Sequence, residues 1–211
     1  MAVTFKLQGY ERHRLTTDGK GVTTLVALLG CPLRCRYCIN KDMLSTGRYR
    51  EYTPQRLLDE LMIDFCYFVA TGGGVTFGGG ESLMQSEAIL EFKKIIPEYV
   101  AINVETSMNI DISEDAFVVL MEKIDHFIID IKTLDPDIYM AYTATHNKNV
   151  IKNLDRICKL NYQDKCRIRI PVIPEYKSAE TAKAEAEKIR AMGFNNVEVF
   201  PYILRDNILH T

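Results

Sequence analysis

Long apolar runs are missing from this sequence. No stretch of its 211 residues approaches the ~20 apolar residues that a membrane-spanning helix needs. An excess of one charge is missing too. With 26 basic residues against 28 acidic ones, nothing points to a nucleic-acid or acidic-membrane partner. The opening stretch "MAVTFKLQGYERHR" has no apolar signal region followed by a small-residue cleavage site, so the expected location is the cytoplasm. Repeats, low-complexity runs and linker-like shifts of composition are also absent. The expectation is a single domain over 1–211, with a short N-terminal segment 1–20 ahead of its main body and enough chain for a sizeable core.

What the sequence does contain is an alternation. "TTLVALLG" (23–30), "GVTFGG" (74–79), "AINVET" (101–106), "HFIIDIK" (126–132), "RIRIPVIP" (167–174) and "NVEVFPY" (196–202) read as buried strands rich in Val and Ile. Helical stretches lie between them. "TPQRLLDELMIDFCYFV" starts with Thr53 as N-cap and Pro54 at the first helical position, and "SEDAFVVLMEKI" starts with Ser113 as N-cap. "SAETAKAEAEKIRAMG" ends on Gly193 as a C-cap, and 83–96 and 147–160 also fit helices. Such alternation predicts an α/β fold with a parallel sheet, either doubly wound and open or an incomplete barrel. In both, ligands gather at the carboxyl ends of the strands. The polar oddities fall there: Cys31 after the first strand, "GGGES" after the second, "ETS" closing the third, "DIK" closing the fourth, and "IPEY" and "PYI" after the last two.

Six cysteines without an export signal are expected to remain thiols, which favours metal binding or catalysis over a disulfide framework. Cys31, Cys35 and Cys38, spaced C-x3-C-x2-C, let three thiolates converge on one ion or cluster from a single loop. A closed structural zinc site wants four ligands. Three thiolates also suit a four-iron cluster with one iron left open to a ligand. Cys66, Cys158 and Cys166 lie far along the chain and read as small buried apolar residues.

"TTDGKG", "GCPLRCRYCIN", "GGGVTFGGGESLMQ", "DIKTLDPDIYMAYT" and "RIRIPVIP", in this order, resemble the motifs of the radical S-adenosylmethionine (SAM) superfamily. More closely, they resemble the glycyl-radical-enzyme activating enzymes within it, from about Asp18 to Tyr202. The resemblance implies a partial (β/α)6 TIM-like barrel of the radical SAM type. It further implies a [4Fe-4S] cluster on Cys31, Cys35 and Cys38 whose open iron chelates SAM. Reductive cleavage of SAM would give a 5′-deoxyadenosyl radical that abstracts hydrogen, from a glycine of a partner glycyl radical enzyme, with a flavodoxin or ferredoxin-like protein as reductant. Gly79, Gly80 and Glu81 match the segment that holds the SAM amino group, and Ser82 replaces the Pro or Ala often found next. By the same resemblance Tyr37, just before Cys38, lies against the adenine. Ile39 stands where His is common, so a contact there is apolar or through the backbone. Glu105 with Thr106 matches an acidic-Thr pair and Asp130 with Lys132 an Asp-x-Lys pair. The resemblance implies that the acidic residues and the Thr bind a monovalent cation beside the SAM carboxylate, and that Arg169 engages the carboxylate or ribose. Ile203 replaces a His, and the end at Thr211 falls short of the C-terminal segment of many relatives, which would leave the barrel mouth more open or hand its closure to a partner. One cluster is expected, since no ferredoxin-like insertion follows the cysteine loop.

Two other readings stay open on sequence alone. One is a radical SAM enzyme acting on a small molecule or peptide, including the activases of anaerobic ribonucleotide reductase. The other is a zinc or electron-transfer module without catalysis, against which "GGGES" and "DIK" count.

Overall fold

The computed structural model describes residues 3–15 and 17–203. In chain order the elements are β1 (Phe5–Arg14), β2 (Thr23–Leu28), α1 (Lys41–Ser45), β3 (Arg50–Tyr52), α2 (Pro54–Leu61), α3 (Phe65–Thr71), β4 (Gly74–Gly79) and α4 (Ser86–Lys93). There follow β5 (Ala101–Thr106), α5 (Glu114–Lys123), β6 (His126–Asp130), α6 (Pro136–Thr143), α7 (Lys148–Lys159), β7 (Cys166–Val172), α8 (Ala179–Ala191) and β8 (Asn196–Pro201). They form two compact units, one drawn from 1–31, 43–106 and 112–128, the other from 32–42, 107–111 and 129–211. Thr211, on which the expected open C-terminal end rested, lies outside the described residues. No helix among the described residues is long and apolar enough to cross a membrane.

In the first unit the strand order is β3-β1-β2-β4-β5 and then the first residues of β6. β2, β4 and β5 run parallel, with Leu28 beside Gly79 and Phe77 beside Val104. Their carboxyl ends therefore stand in a row. β1 and β3 were not expected from the sequence. β1 is antiparallel to both of its neighbours and carries Lys6, Glu11, Arg12 and Arg14. Half-solvated and charged, it lacks the continuous Val/Ile run that marks a buried parallel strand. The core is aromatic. Phe5 stacks on Phe77 at 5.3 Å, and Phe92 meets both edge-on.

The helix expected over 53–69 begins as its caps dictate, with Thr53 Oγ1 accepting from Arg56 N at 3.1 Å, but breaks at a 3-10 turn over Met62–Asp64. The break has a tertiary cause. Asp64 is buried and accepts hydrogen bonds from Thr24 Oγ1 (2.8 Å) and the Arg12 guanidinium, and a continuous helix would carry that carboxylate elsewhere. Likewise the helix expected over 83–96 starts only at Ser86, because Glu81 caps a 3-10 turn at Ser82–Gln85.

In the second unit the last residues of β6 precede β7 and β8 in the order, and β7 and β8 are parallel from Arg167–Asn196 to Val172–Pro201. Tyr139, Leu154, Ile157, Ala186 and Ile189 from three helices are buried with Ile168 and Ile170 of β7. α6 went unrecognised in the sequence, since "DIYMAYT" has the β-branched and aromatic content of a strand. Its start signals are nonetheless present, with Asp135 accepting from Asp137 N and Ile138 N at 2.9 Å and Pro136 in the first turn.

Phe77→Ala empties the centre of the aromatic cluster, one residue from the glycine run, and is expected to cost about 3–5 kcal/mol. Urea unfolding followed by circular dichroism measures it, and a loss under ~1 kcal/mol would contradict this packing.

Candidate functional site

Two groups of polar residues stand at the carboxyl ends of the strands, one in each unit. In the first unit, Gly79 has φ 91° and Gly30 φ 106°, a backbone region that favours glycine. Gly80 N donates to Leu28 O at 3.0 Å and Glu81 N to Gly30 O at 2.7 Å. A Cβ built on Gly80 would fall inside the carbonyl group of Gly30. Gly80 is thus fixed by contact with the chain itself, and that contact holds the Gly79–Glu81 segment against the residue preceding Cys31. Gly78 serves a neighbouring strand, for a Cβ there would lie 2.5 Å from Glu105 Oε2.

Glu81 is 2% exposed, so its carboxylate must be hydrogen-bonded to be tolerated. Thr106 Oγ1 donates to its Oε1 at 2.6 Å and Leu83 N at 3.3 Å. Parallel pairing of β4 with β5 thus brings together Gly79, Gly80, Glu81, Glu105 and Thr106, as the sequence predicted for the ends of those strands.

In the second unit the cysteine loop is seated on α6. Arg34 N donates to Thr143 O and Arg36 N to Tyr142 O, both at 2.9 Å, satisfying carbonyls that a helix end leaves unpaired. Cys38 N closes a turn on Cys35 O at 3.2 Å. Tyr37 donates from its hydroxyl to Glu175 Oε2 at 2.8 Å and lies 6.1–6.2 Å, ring to ring, from Tyr142 and Tyr176, while its carbonyl accepts from Tyr202. Ile39 is exposed. Asp130, the last residue of β6, accepts from Arg169 Nε at 2.7 Å and Lys132 Nζ at 3.4 Å, which supplies the partner an arginine in an apolar strand requires.

Burial works to raise the Asp130 pKa, but Lys132 and then Arg169 outweigh it, and the carboxylate sits below its ordinary value. For Lys132 burial works downward, and Asp130, Cys35 and Tyr142 outweigh it, so the ammonium is held charged. Burial pushes the Cys35 thiol up, with Lys132 opposing it. Glu175, Tyr142, Tyr176 and Tyr202 were not singled out as site residues from sequence. Only "IPEY" and "PYI" at strand ends hinted at two of these tyrosines and at Glu175, whose φ of 66° has no sequence signature.

The donor set fits an iron–sulfur cluster. All six cysteines are outside disulfides, and Cys31, Cys35 and Cys38 are half-buried on one loop. Cys166 is buried, its thiol pushed up to about 12 by desolvation, and Cys158 donates to Met192 O at 3.4 Å. Cys66 is exposed on α3 rather than buried as its type suggested. No three His, Cys, Asp or Glu side chains among the described residues converge as ligands of a single ion would. Thiolates of a four-iron cluster each bind a separate iron and stand apart.

A family model described as the Radical SAM superfamily matches residues 25–186. The chain is 30% identical over 188 residues to the pyruvate formate-lyase-activating enzyme of Clostridium pasteurianum, covering 88% of this chain and 77% of that protein. It is 27% identical over 205 residues to the pyruvate formate-lyase 1-activating enzyme of Escherichia coli (strain K12), covering 96% and 82%. Among solved structures, Streptococcus suis SuiB bound to precursor peptide SuiA aligns with a TM-score of 0.58 at 17% identity, covering 82% of this chain and 37% of that one. Native anSMEcpe with bound AdoMet aligns with a TM-score of 0.57 at 14% identity, covering 83% and 50%. At such identities the likeness shows the fold alone, and it agrees with the α/β, partial-barrel type expected from the sequence.

Gly80→Ala and Gly72→Ala separate close approach from backbone preference. Gly72 has φ 66° and open space around its Cα, so alanine there should cost about 1–2 kcal/mol. Alanine at position 80 meets the Gly30 carbonyl and should cost more than about 3 kcal/mol and lower the iron bound after anaerobic reconstitution. Chemical denaturation with iron assay tests both, and equal losses would contradict the close contact.

Proposed function

Because the chain belongs to the radical SAM superfamily and, within it, to the family of pyruvate formate-lyase-activating enzymes, we propose that it installs a radical on a backbone glycine of a partner glycyl radical enzyme. What carries this reading is the C-x3-C-x2-C loop at a strand end, whose Arg34 and Arg36 amides, on either side of Cys35, bond to the end of α6. Cys31, Cys35 and Cys38 would hold the [4Fe-4S] cluster. When bound and reduced, the cluster supplies the electron that cleaves SAM to methionine and a 5′-deoxyadenosyl radical, which takes hydrogen from the substrate.

The rest falls to this chain's residues. Gly79, Gly80 and Glu81 receive the amino group of SAM, with Glu81 held rigid by Thr106 and Leu83 N. Arg169 and Lys132 would hold the SAM carboxylate or ribose, with Asp130 keeping both cations oriented. Glu105 and Thr106 in the first unit offer hard oxygens suited to a monovalent cation, a role the family resemblance also gives Asp130. Tyr37, fixed at its hydroxyl by Glu175 and at its carbonyl by Tyr202, presents a ring to the adenine, and Ile39 adds an apolar or backbone contact. A glycyl Cα–H suits the reaction because the product radical is delocalised over both flanking amides. The electron would come from a flavodoxin or ferredoxin-like reductant. Six thiols and an oxygen-sensitive cluster suit a reducing cytoplasm.

Mixing the reduced, reconstituted protein and SAM with a glycyl radical enzyme from the same organism should produce a glycine-centred EPR doublet, absent when that glycine is changed to alanine. SAM turnover driven by a small metabolite, with no radical on any such protein, would transfer the activity to a small-molecule reaction.

A further inference from the structure

The second unit contains a fully buried ion pair that the proposed chemistry does not use. Lys177 Nζ stands 2.9 Å from Glu185 Oε2, with the two side chains 0% and 5% exposed. Removing two charges from water is costly, and an apolar pair of similar volume would pack α8 at least as well. What an apolar pair could not do is hold polar groups. Lys177 Nζ also donates to Lys132 O at 2.5 Å. Glu185 Oε1 accepts from Thr133 Oγ1 at 2.5 Å and Leu134 N at 2.6 Å. Three successive residues beyond β6 are thereby fastened, and Ile131 N is tied to Arg169 O at 3.0 Å just before them.

Lys177 is itself fixed at the end of a tight turn, where Ile173 and Lys177 exchange backbone hydrogen bonds of 2.8 and 3.1 Å. The same turn carries Glu175, which receives the Tyr37 hydroxyl. One short turn therefore links the cysteine loop to the segment following Asp130.

We infer that Lys177 and Glu185 are positioning residues that set Asp130 and Lys132 in the geometry that binds SAM. The inference rests on the proposed SAM role of that segment. Lys177→Met removes the donor to Lys132 O, and adding Glu185→Gln removes the second charge while leaving an oxygen for Thr133 and Leu134. Anaerobic equilibrium dialysis of the reconstituted protein should show SAM affinity about tenfold weaker in both variants, with iron content unchanged, as for other groups that orient a ligand set from behind. Amide exchange of the apoprotein, read peptide by peptide well below its melting temperature, should accelerate selectively over 131–134.

Wild-type affinity in both variants, or exchange that rises evenly across the unit, would reduce the pair to a structural one. Should Lys177→Met alone fail to fold because Glu185 is left buried without its counter-charge, the double variant, which also lacks the donor to Lys132 O, carries the same expectation. A wild-type protein that does not bind SAM overturns the proposed function instead, and the exchange result then decides whether the pair holds the segment.

Discussion

Gly80 lies so close to the Gly30 carbonyl that it has no room for a side chain, and the hydrogen bonds from Gly80 to Leu28 and from Glu81 to Gly30 run alongside. This contact depends on β2 and β4 being parallel and in register, so that Leu28 and Gly79 end together. It places a buried, hydrogen-bonded carboxylate next to the point where the chain turns into the cysteine loop. Any side chain at position 80 would force the two strand ends apart. Glu81 would move with them, and its bond from Thr106 would be lost. Rigidity of this kind is what a radical reaction needs, since a loose site admits water and side reactions.

The second unit uses charge where the first uses close packing. Asp130 is an acceptor shared by Arg169 and Lys132, and Lys132 in turn acts on Cys35. Two cations on one carboxylate leave a net positive charge in a partly buried place, suited to an anionic ligand group and to thiolates. Aromatic rings complete it. Tyr142 and Tyr176 meet at 5.2 Å, with Tyr37 beside both.

Much of this was legible in the sequence because it obeys local rules. Val- and Ile-rich runs marked the buried parallel strands, and Thr53 and Ser113 marked helix starts that the structure keeps. The strand-end motifs announced Glu81, Asp130 and the cysteines. What stayed hidden depends on partners distant in sequence. Asp64 breaks a helix to reach Thr24 and Arg12, 40 and 52 residues away. α6, disguised by its tyrosines, turned out to be the element on which the cysteine loop sits. Glu185 was not singled out in the sequence, yet it is buried against Lys177 and Thr133. The contact of Gly80 with the backbone of Gly30 joins two strand ends and has no local signature in the sequence.

Three cysteines holding a cluster with one open iron is the claim on which the functional account stands. Mössbauer spectroscopy of protein reconstituted with iron-57 tests it most directly. The account predicts about four irons per chain in a [4Fe-4S] cluster, with one iron in four changing its signal when SAM is added and little cluster in Cys35→Ala. Stoichiometric zinc without sulfide, or four irons that ignore SAM, would contradict it.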